Sequence, residues 1–289
     1  MKHFQPRRVL VGTDLSPASG AAIALAAQWA RHYRAALTVA LAAHTDAPWE
    51  FTKAQVAELE AEHHAEWQRR LRQLRGFAAP LVGAGTELQC ELLEGDPDRA
   101  LAEAARKTGA ELLVFAIHRQ SHTAGIGLRS LPFELMRTTQ LPLLALSEAA
   151  TTRPRAWEGT LQQVLTLLPP QGAPGPALEL AAAIAADWTA PMSVVASCAS
   201  GSQNARAAAR SAAVEGQWES AVRRALGDGH GSTTFLPNCR PGQLAEFAER
   251  PGLLLVLDAA PGGSTHWWHP EPDWEKMLRQ LPAPALVVP

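Results

Sequence analysis

His118 and His122 stand four residues apart. That spacing suits a metal when it lies on a helix. Here the pair follows an apolar strand and enters a loop, with no third ligand placed, so no metal is expected. His63-His64 falls on a charged helical stretch without the His-Glu-x-x-His pattern, which reads as a solvated or packed helix face. His266 and His269 lie among Trp267, Trp268 and Trp274, the most unusual local composition in the chain. A Trp-rich surface loop folded onto its own domain is the plain reading; a partner contact or an apolar pocket are the alternatives. Ser16, Ser130 and Ser264 lack an assignable His/Asp partner. No nucleophile elbow, Walker A loop or kinase motif set is present, so no catalytic residue is assigned. Cys90, Cys198 and Cys239 are isolated. Without a Cys-x-x-Cys pair, zinc ribbons and dithiol redox chemistry are excluded, and buried thiols in a reducing compartment are expected.

The bulk composition narrows the classes further. The 289 residues carry 26 Lys+Arg against 28 Asp+Glu, a net charge of -2. Such a balance argues against nucleic acid or an anionic membrane as the main partner. At 47% hydrophobic the chain has ample material for packed cores, and its length suits two domains. The early apolar run Val9 to Val11 is cut off by Gly12 and Asp14, too short for a signal segment. No apolar stretch approaches the roughly 18 residues of a spanning helix. A cytoplasmic protein is expected.

The elements that must position these groups alternate. Arg8–Thr13 (RVLVGT) reads as a buried parallel strand. Ser16 then caps a helix with Pro17 at its first position, running to about Arg34 with Ile23, Ala26, Ala27, Ala30 and Tyr33 on one face. Leu37–Ala43 is a second strand. A long helix is expected from about Thr52 to Arg75, striped by Val56, Leu59, His63, Trp67, Leu71 and Leu74. Glu87–Leu93 is a third strand. Pro97 to Lys107 is a helix stopped by Gly109. Leu112–Ile117 is a fourth strand. A Gly-bearing loop, His118–Arg129, leads to a helix from about Ser130 to Arg137, and Leu143–Leu146 is a fifth strand. This alternation implies a mostly parallel sheet with helices on both faces.

The pattern then repeats. Val164-Leu165 follows Val9-Leu10 at an offset of 155, which also pairs Leu37 with Met192 and Val39 with Val194. Later, Leu101–Ala105 matches Leu244–Ala248 at 143, Leu112-Leu113 matches Leu253-Leu254 at 141, and Leu141-Pro142 matches Ala283-Pro284 at 142. Drifting offsets in preserved order are what loop insertions and deletions leave in a duplicated unit. Two domains are expected, 1–147 and 156–289, joined by a polar linker at 148–155.

RRVLVGTDLSPASGAAIALAAQWARHYRAALTV, a strand, an Asp-x-Ser turn and an Ala-rich helix, resembles the opening of the universal stress protein domain. LLEGDPDRALAEAARKTGAELLVFA resembles that family's Glu-Gly-x-Pro turn, helix and fourth strand. LRSLPFELMRTTQLPLLAL resembles its closing helix and fifth strand. The similarity covers nearly all of residues 7–147, and only the framework persists across 160–289. The chain thus looks like a tandem universal stress protein. The resemblance implies two Rossmann-like domains of the adenine nucleotide alpha hydrolase-like kind. Each would be a five-stranded parallel sheet of order 3-2-1-4-5 flanked by helices, with the fifth strands pairing the domains.

In ATP-binding members of that family the loop after strand four reads Gly-x2-Gly-x9-Gly-Ser/Thr. Glycines there let backbone amides approach phosphates, and the hydroxyl residue opens a helix whose amino end favours anions. Aligned without gaps, this chain has Ala116, Arg119, Arg129 and Ser130. Phe115 and Leu131 adjoin these positions. Asp14 matches the acidic residue near the adenosine moiety, Ala42 falls where an apolar residue lines the adenine slot, and Ser130 keeps the phosphate-side hydroxyl. Gly125 and Gly127 lie inside the loop but off the motif spacing.

Either Arg119 and Arg129 replace backbone contacts with guanidinium contacts to an anion, or the site has decayed and both are solvated. The expectation is a non-enzymatic stress-response or regulatory protein with a degenerate site and no cofactor. The alternative is ATP or AMP binding in the first domain, with or without slow hydrolysis. In the second domain offset 155 puts Pro169 opposite Asp14, and the HWWHPEPD tract, His266–Asp273, replaces most of the loop after Leu257, so no phosphate cradle is readable. A homodimer and a protein partner of unidentified kind stay open.

Overall fold

The computed structural model describes residues 4–43, 53–117, 135, 138–151, 160–168, 175–196, 220, 223–224, 248–259, 278 and 281–289. The chain divides into two compact units, one holding Pro6–Ala116 and the other holding Pro142–Pro289.

In the first unit β1 (Arg8–Thr13), β2 (Ala36–Ala43), β3 (Leu88–Glu94) and β4 (Leu112–Ile117) form a parallel array in the order β3-β2-β1-β4. Val9 of β1 faces Leu37 of β2 on one side and Leu112 of β4 on the other. Val9, Leu10 and Val11 are buried whichever face they point to, as a strand covered on both sides requires. Helix α1 (Pro17–Tyr33) starts at the Ser16 cap, whose side chain accepts the Ser19 amide. Ile23, Ala26, Ala27 and Ala30 are buried and Tyr33 is half-buried, as the spacing predicts. Trp29 is buried as well, its ring 5.9 Å from that of Tyr33. Ala-rich helices can lie close to a neighbour, and Gly20 shows how close: a Cβ there would come within 3.2 Å of Phe77 Cζ.

Helix α2 (Lys53–Val82) runs seven residues past the expected end at Arg75, through Gly76 and Pro80. Leu74, Ala78 and Val82 recur every four residues and are all buried, so packing carries the helix onward. Of the expected stripe, Trp67 and Leu71 are half-buried, and the Val56, Leu59 and His63 side chains lie outside the described residues. Helix α3 (Pro97–Thr108) ends at Gly109, left-handed at φ 63. A Cβ on Gly12 would meet Leu101 Cδ1 at 2.9 Å, so this glycine seats α3 against β1.

The second unit holds β5 (Leu143–Ser147), helix α4 (Glu148–Thr151), β6 (Gln163–Leu168), helix α5 (Pro176–Asp187), β7 (Met192–Ala196), β8 (Leu253–Asp258) and β9 (Ala285–Val288), with the strands ordered β5-β9-β8-β6-β7. β6 lies parallel to β7 and β8, and β8 parallel to β9. β5 runs antiparallel to β9, with Leu144 opposite Leu286, so this sheet is mixed. Both strands are short, apolar and buried along their length. An open edge of that composition is unfavourable, and each satisfies the other's backbone. Ser147 ties the join further: its hydroxyl donates to the Leu281 carbonyl and accepts the Ala150 amide. The stretch read as a linker therefore opens with a helical turn, Glu148–Thr151, in which Ala150 is buried.

The ladders also refine the repeat. Val9 pairs with Leu37 and Leu112; Val164 pairs with Met192 and Leu254. The offset of 155 thus holds for the first two strands of each half. For the next pair the equivalent of Leu112 is Leu254, not Leu253, an offset of 142. One register step in a strand swaps the two faces, so this correction decides which residues correspond.

Candidate functional site

The first sheet changes chain direction at β1: α1 leads to β2 on one side, and α3 crosses to β4 on the other. Ligands of open parallel sheets bind beyond the carboxyl ends of the strands at such a point. Three sequence candidates come to that edge. Asp14 follows β1 directly and is exposed. Ala42 lies one residue beyond Leu41, the partner of Thr13, and is half-exposed. Ala116 lies two residues beyond Val114, the partner of Val11, and is half-exposed.

The turn that carries Asp14 is built from its own polar groups. Asp14 Oδ1 accepts the Ser16 amide at 3.0 Å, and Thr13 Oγ1 accepts the Leu15 amide at 3.0 Å. Ser16 Oγ accepts the Ser19 amide at 3.1 Å, and the Ser19 hydroxyl donates to the Ser16 carbonyl at 3.0 Å. Thr13 and Ser19 hydroxyls lie 2.8 Å apart. Leu15, between them, has φ 63, a left-handed conformation that costs a side-chain-bearing residue about 1–2 kcal/mol. The turn is therefore held in shape by hydrogen bonds against a local preference. Thr13 and Ser19 were not singled out in the sequence; their signal is the hydroxyl spacing in Thr-Asp-Leu-Ser-Pro-Ala-Ser.

Phe115 sits differently from its neighbour. It is 4% exposed and belongs to the core, so only its backbone can face the strand ends. Arg119, Arg129, Ser130 and Leu131 lie outside the described residues, as do Gly125, Gly127, His118 and His122. So do Pro169, Ser264 and the His266–Trp274 tract. Among the described residues no group of three or more His, Cys, Asp or Glu side chains could hold a metal ion. Cys90 is half-buried on β3; burial pushes its thiol up from the ordinary value, and nearby Arg75 pulls it back. A raised thiol is a poor nucleophile at neutral pH.

The corresponding edge of the second sheet carries a residue that the sequence reading passed over. Val11 pairs with Val114 and Thr166 with Val256. By the same ladder step, Asp258 at the end of β8 stands where Ala116 stands at the end of β4. Its Oδ1 accepts the Ala177 amide at 2.7 Å, at the amino end of α5. Burial raises the Asp258 carboxyl above its ordinary value, while hydrogen bonds from the Ala177 and Gly175 amides act in the opposite direction.

An open, mostly parallel α/β sheet with a polar turn at its switch point defines the class of this molecule. Residues 6–147 match the Universal stress protein family. Solved structures of similar fold include a universal stress protein from Archaeoglobus fulgidus DSM 4304, 14% identical, with a TM-score of 0.61, covering 97% of this chain and 95% of that one. Another is a putative universal stress protein from Pseudomonas aeruginosa UCBPP-PA14, 15% identical, with a TM-score of 0.60, covering 98% and 93%. A universal stress protein solved in complex with cAMP is 26% identical over 50% of this chain and 98% of its own, with a TM-score of 0.37. No curated protein matches the chain. Among the described residues no helix is long and apolar enough to cross a membrane.

Proposed function

We propose that this chain is a tandem protein of the universal stress type that works as a non-enzymatic, cytoplasmic regulatory module, with a degenerate nucleotide site in its first half. The observation that carries this reading is Ala116. It places a methyl group at the carboxyl end of β4, where the resemblance calls for the first glycine of a phosphate cradle. A backbone that must touch a phosphate tolerates such a Cβ poorly. The Arg residues at 119 and 129 add bulk at the two other glycine positions of the motif. The repeated ladder registers of the two halves support the tandem reading.

A second reading keeps ATP or AMP in the first half. It is favoured by Asp14, exposed at the switch point on a turn of fixed shape. Isothermal calorimetry with ATP separates the two. The expected result is no binding tighter than about 10 μM, roughly -7 kcal/mol. A tighter constant, weakened by both Asp14→Ala and Ser130→Ala, would replace the first reading with the second.

A further inference from the structure

The amino end of α5 should offer free backbone amides and a positive dipole end to an anion. Its accounting leaves little to offer. Pro176 has no amide hydrogen. The Ala177 amide donates to Asp258 Oδ1 at 2.7 Å, and the Leu178 amide donates to the Gly175 carbonyl at 3.3 Å. Gly175 sits so tightly against this carboxylate that a Cβ on it would lie 2.5 Å from Asp258 Cγ, 2.5 Å from Oδ2 and 2.6 Å from Oδ1. Its backbone is extended, at φ -81 and ψ -173, a conformation open to any residue. Glycine is needed there for room, not for its dihedral freedom. The contact joins α5 to β8 across 81 residues of sequence, so it is no accident of a local turn.

The topology gives the contact its meaning. β6 is the strand at which the second sheet changes direction, with β7 on one side and β8 on the other. Asp258 closes β8 at that point, and Ala116, its ladder equivalent in the first half, has no group that could reach a helix end. We propose that Asp258 is a resident anion, a carboxylate tethered to β8 that fills the amino end of α5 and keeps other anions from it, with Gly175 providing the space. The proposal stands whether or not the first half binds nucleotide, so the two fail separately.

The test is a double-substitution cycle on the full chain, read by melting temperature. Gly175→Ala is expected to lower Tm by at least about 3 °C in the native background, on the scale of roughly 2–4 °C per kcal/mol for domains of this size. In the Asp258→Ala background the same substitution should cost less than about 1 °C, because the carboxylate it strikes is gone. Sodium formate, against chloride at matched ionic strength, should raise Tm of Asp258→Ala saturably and by more than it raises the native protein. Additive effects of the two substitutions, or no formate-specific rise beyond the native one, would overturn the proposal. If Asp258→Ala does not fold, the Ala177 amide proton in the native chain reports instead. Its NMR shift should follow the acid titration of one carboxyl, and that titration should vanish in Asp258→Asn. An Ala177 amide indifferent to pH would overturn the proposal equally.

Discussion

Asp14 and Asp258 are both carboxylates at the end of a central strand, and their surroundings give them opposite work. Asp14 is exposed and accepts an amide two residues away within its own turn. Asp258 is partly withdrawn from water and accepts an amide from a distant helix. Burial is the largest influence on Asp258 and raises its carboxyl above the ordinary value of 3.8. The sign for stability follows from linkage. The folded chain holds this proton more readily than the unfolded chain. Its favourable contribution is therefore full below 3.8 and is lost as pH rises through the raised folded value. Asp258→Asn keeps the shape and the acceptor but cannot titrate. Denaturant melts of both proteins from acid to neutral pH should show the native chain losing ground against Asp258→Asn as pH rises. A native chain that gains ground would mean that the amides and the helix end outweigh burial.

At the scale of elements, α2 shows packing overruling local signals. Gly76 and Pro80 both read as stops, yet burial of Leu74, Ala78 and Val82 extends the helix to Val82. Its last carbonyl accepts Arg31 Nη1 at 2.6 Å, a side-chain cap supplied by α1. Arg31→Ala should cost about 0.5–1.5 kcal/mol, the usual worth of one such bond. Hydrogen exchange should place the loss in residues 79–82; a loss elsewhere, or none, would mean the cap is idle. The same contrast decides what was legible in the sequence. β1 and β4 fall where their apolar runs place them, residue for residue, because a strand buried on both faces is written as an uninterrupted apolar run. The end of α2 depends on which side chains another helix covers, and that is not written locally. Asp14, Ala42 and Ala116 were named through the family resemblance, and each lies at or just beyond the end of a strand of the same parallel array. Asp258 was not named. Its partner Gly175 lies far away in sequence, and a one-residue slip in the matched repeat had paired Ile117 with Asp258 instead of Ala116.

At the scale of the whole molecule, the sequence repeat and the compact units divide the chain at different places. The repeat assigns Leu143–Ser147 to the first half; contacts assign it to the unit that contains β9. Leu143–Ser147 thus belongs to one half by sequence and pairs within the unit that holds the other. Leu286 makes this testable, because it is fully buried on β9 and faces Leu144 on β5 and Val256 on β8. Leu286→Ala removes apolar contacts that the surroundings refill only in part, at a cost of about 2–5 kcal/mol. If β9 alone joins to β8, protection against hydrogen exchange should fall in Leu255–Leu257 and leave β5 unchanged. If the antiparallel ladder is one cooperative unit with the rest of this sheet, amides of Leu143, Leu144 and Ala145 should lose protection together with those of β8, and by a similar factor. The second outcome is expected. The Ser147 hydroxyl is locked to the Leu281 carbonyl just before β9 begins, so β5 cannot stay fixed while β9 loosens. Unchanged exchange in Leu143–Ala145 would show that β5 is held by something other than β9.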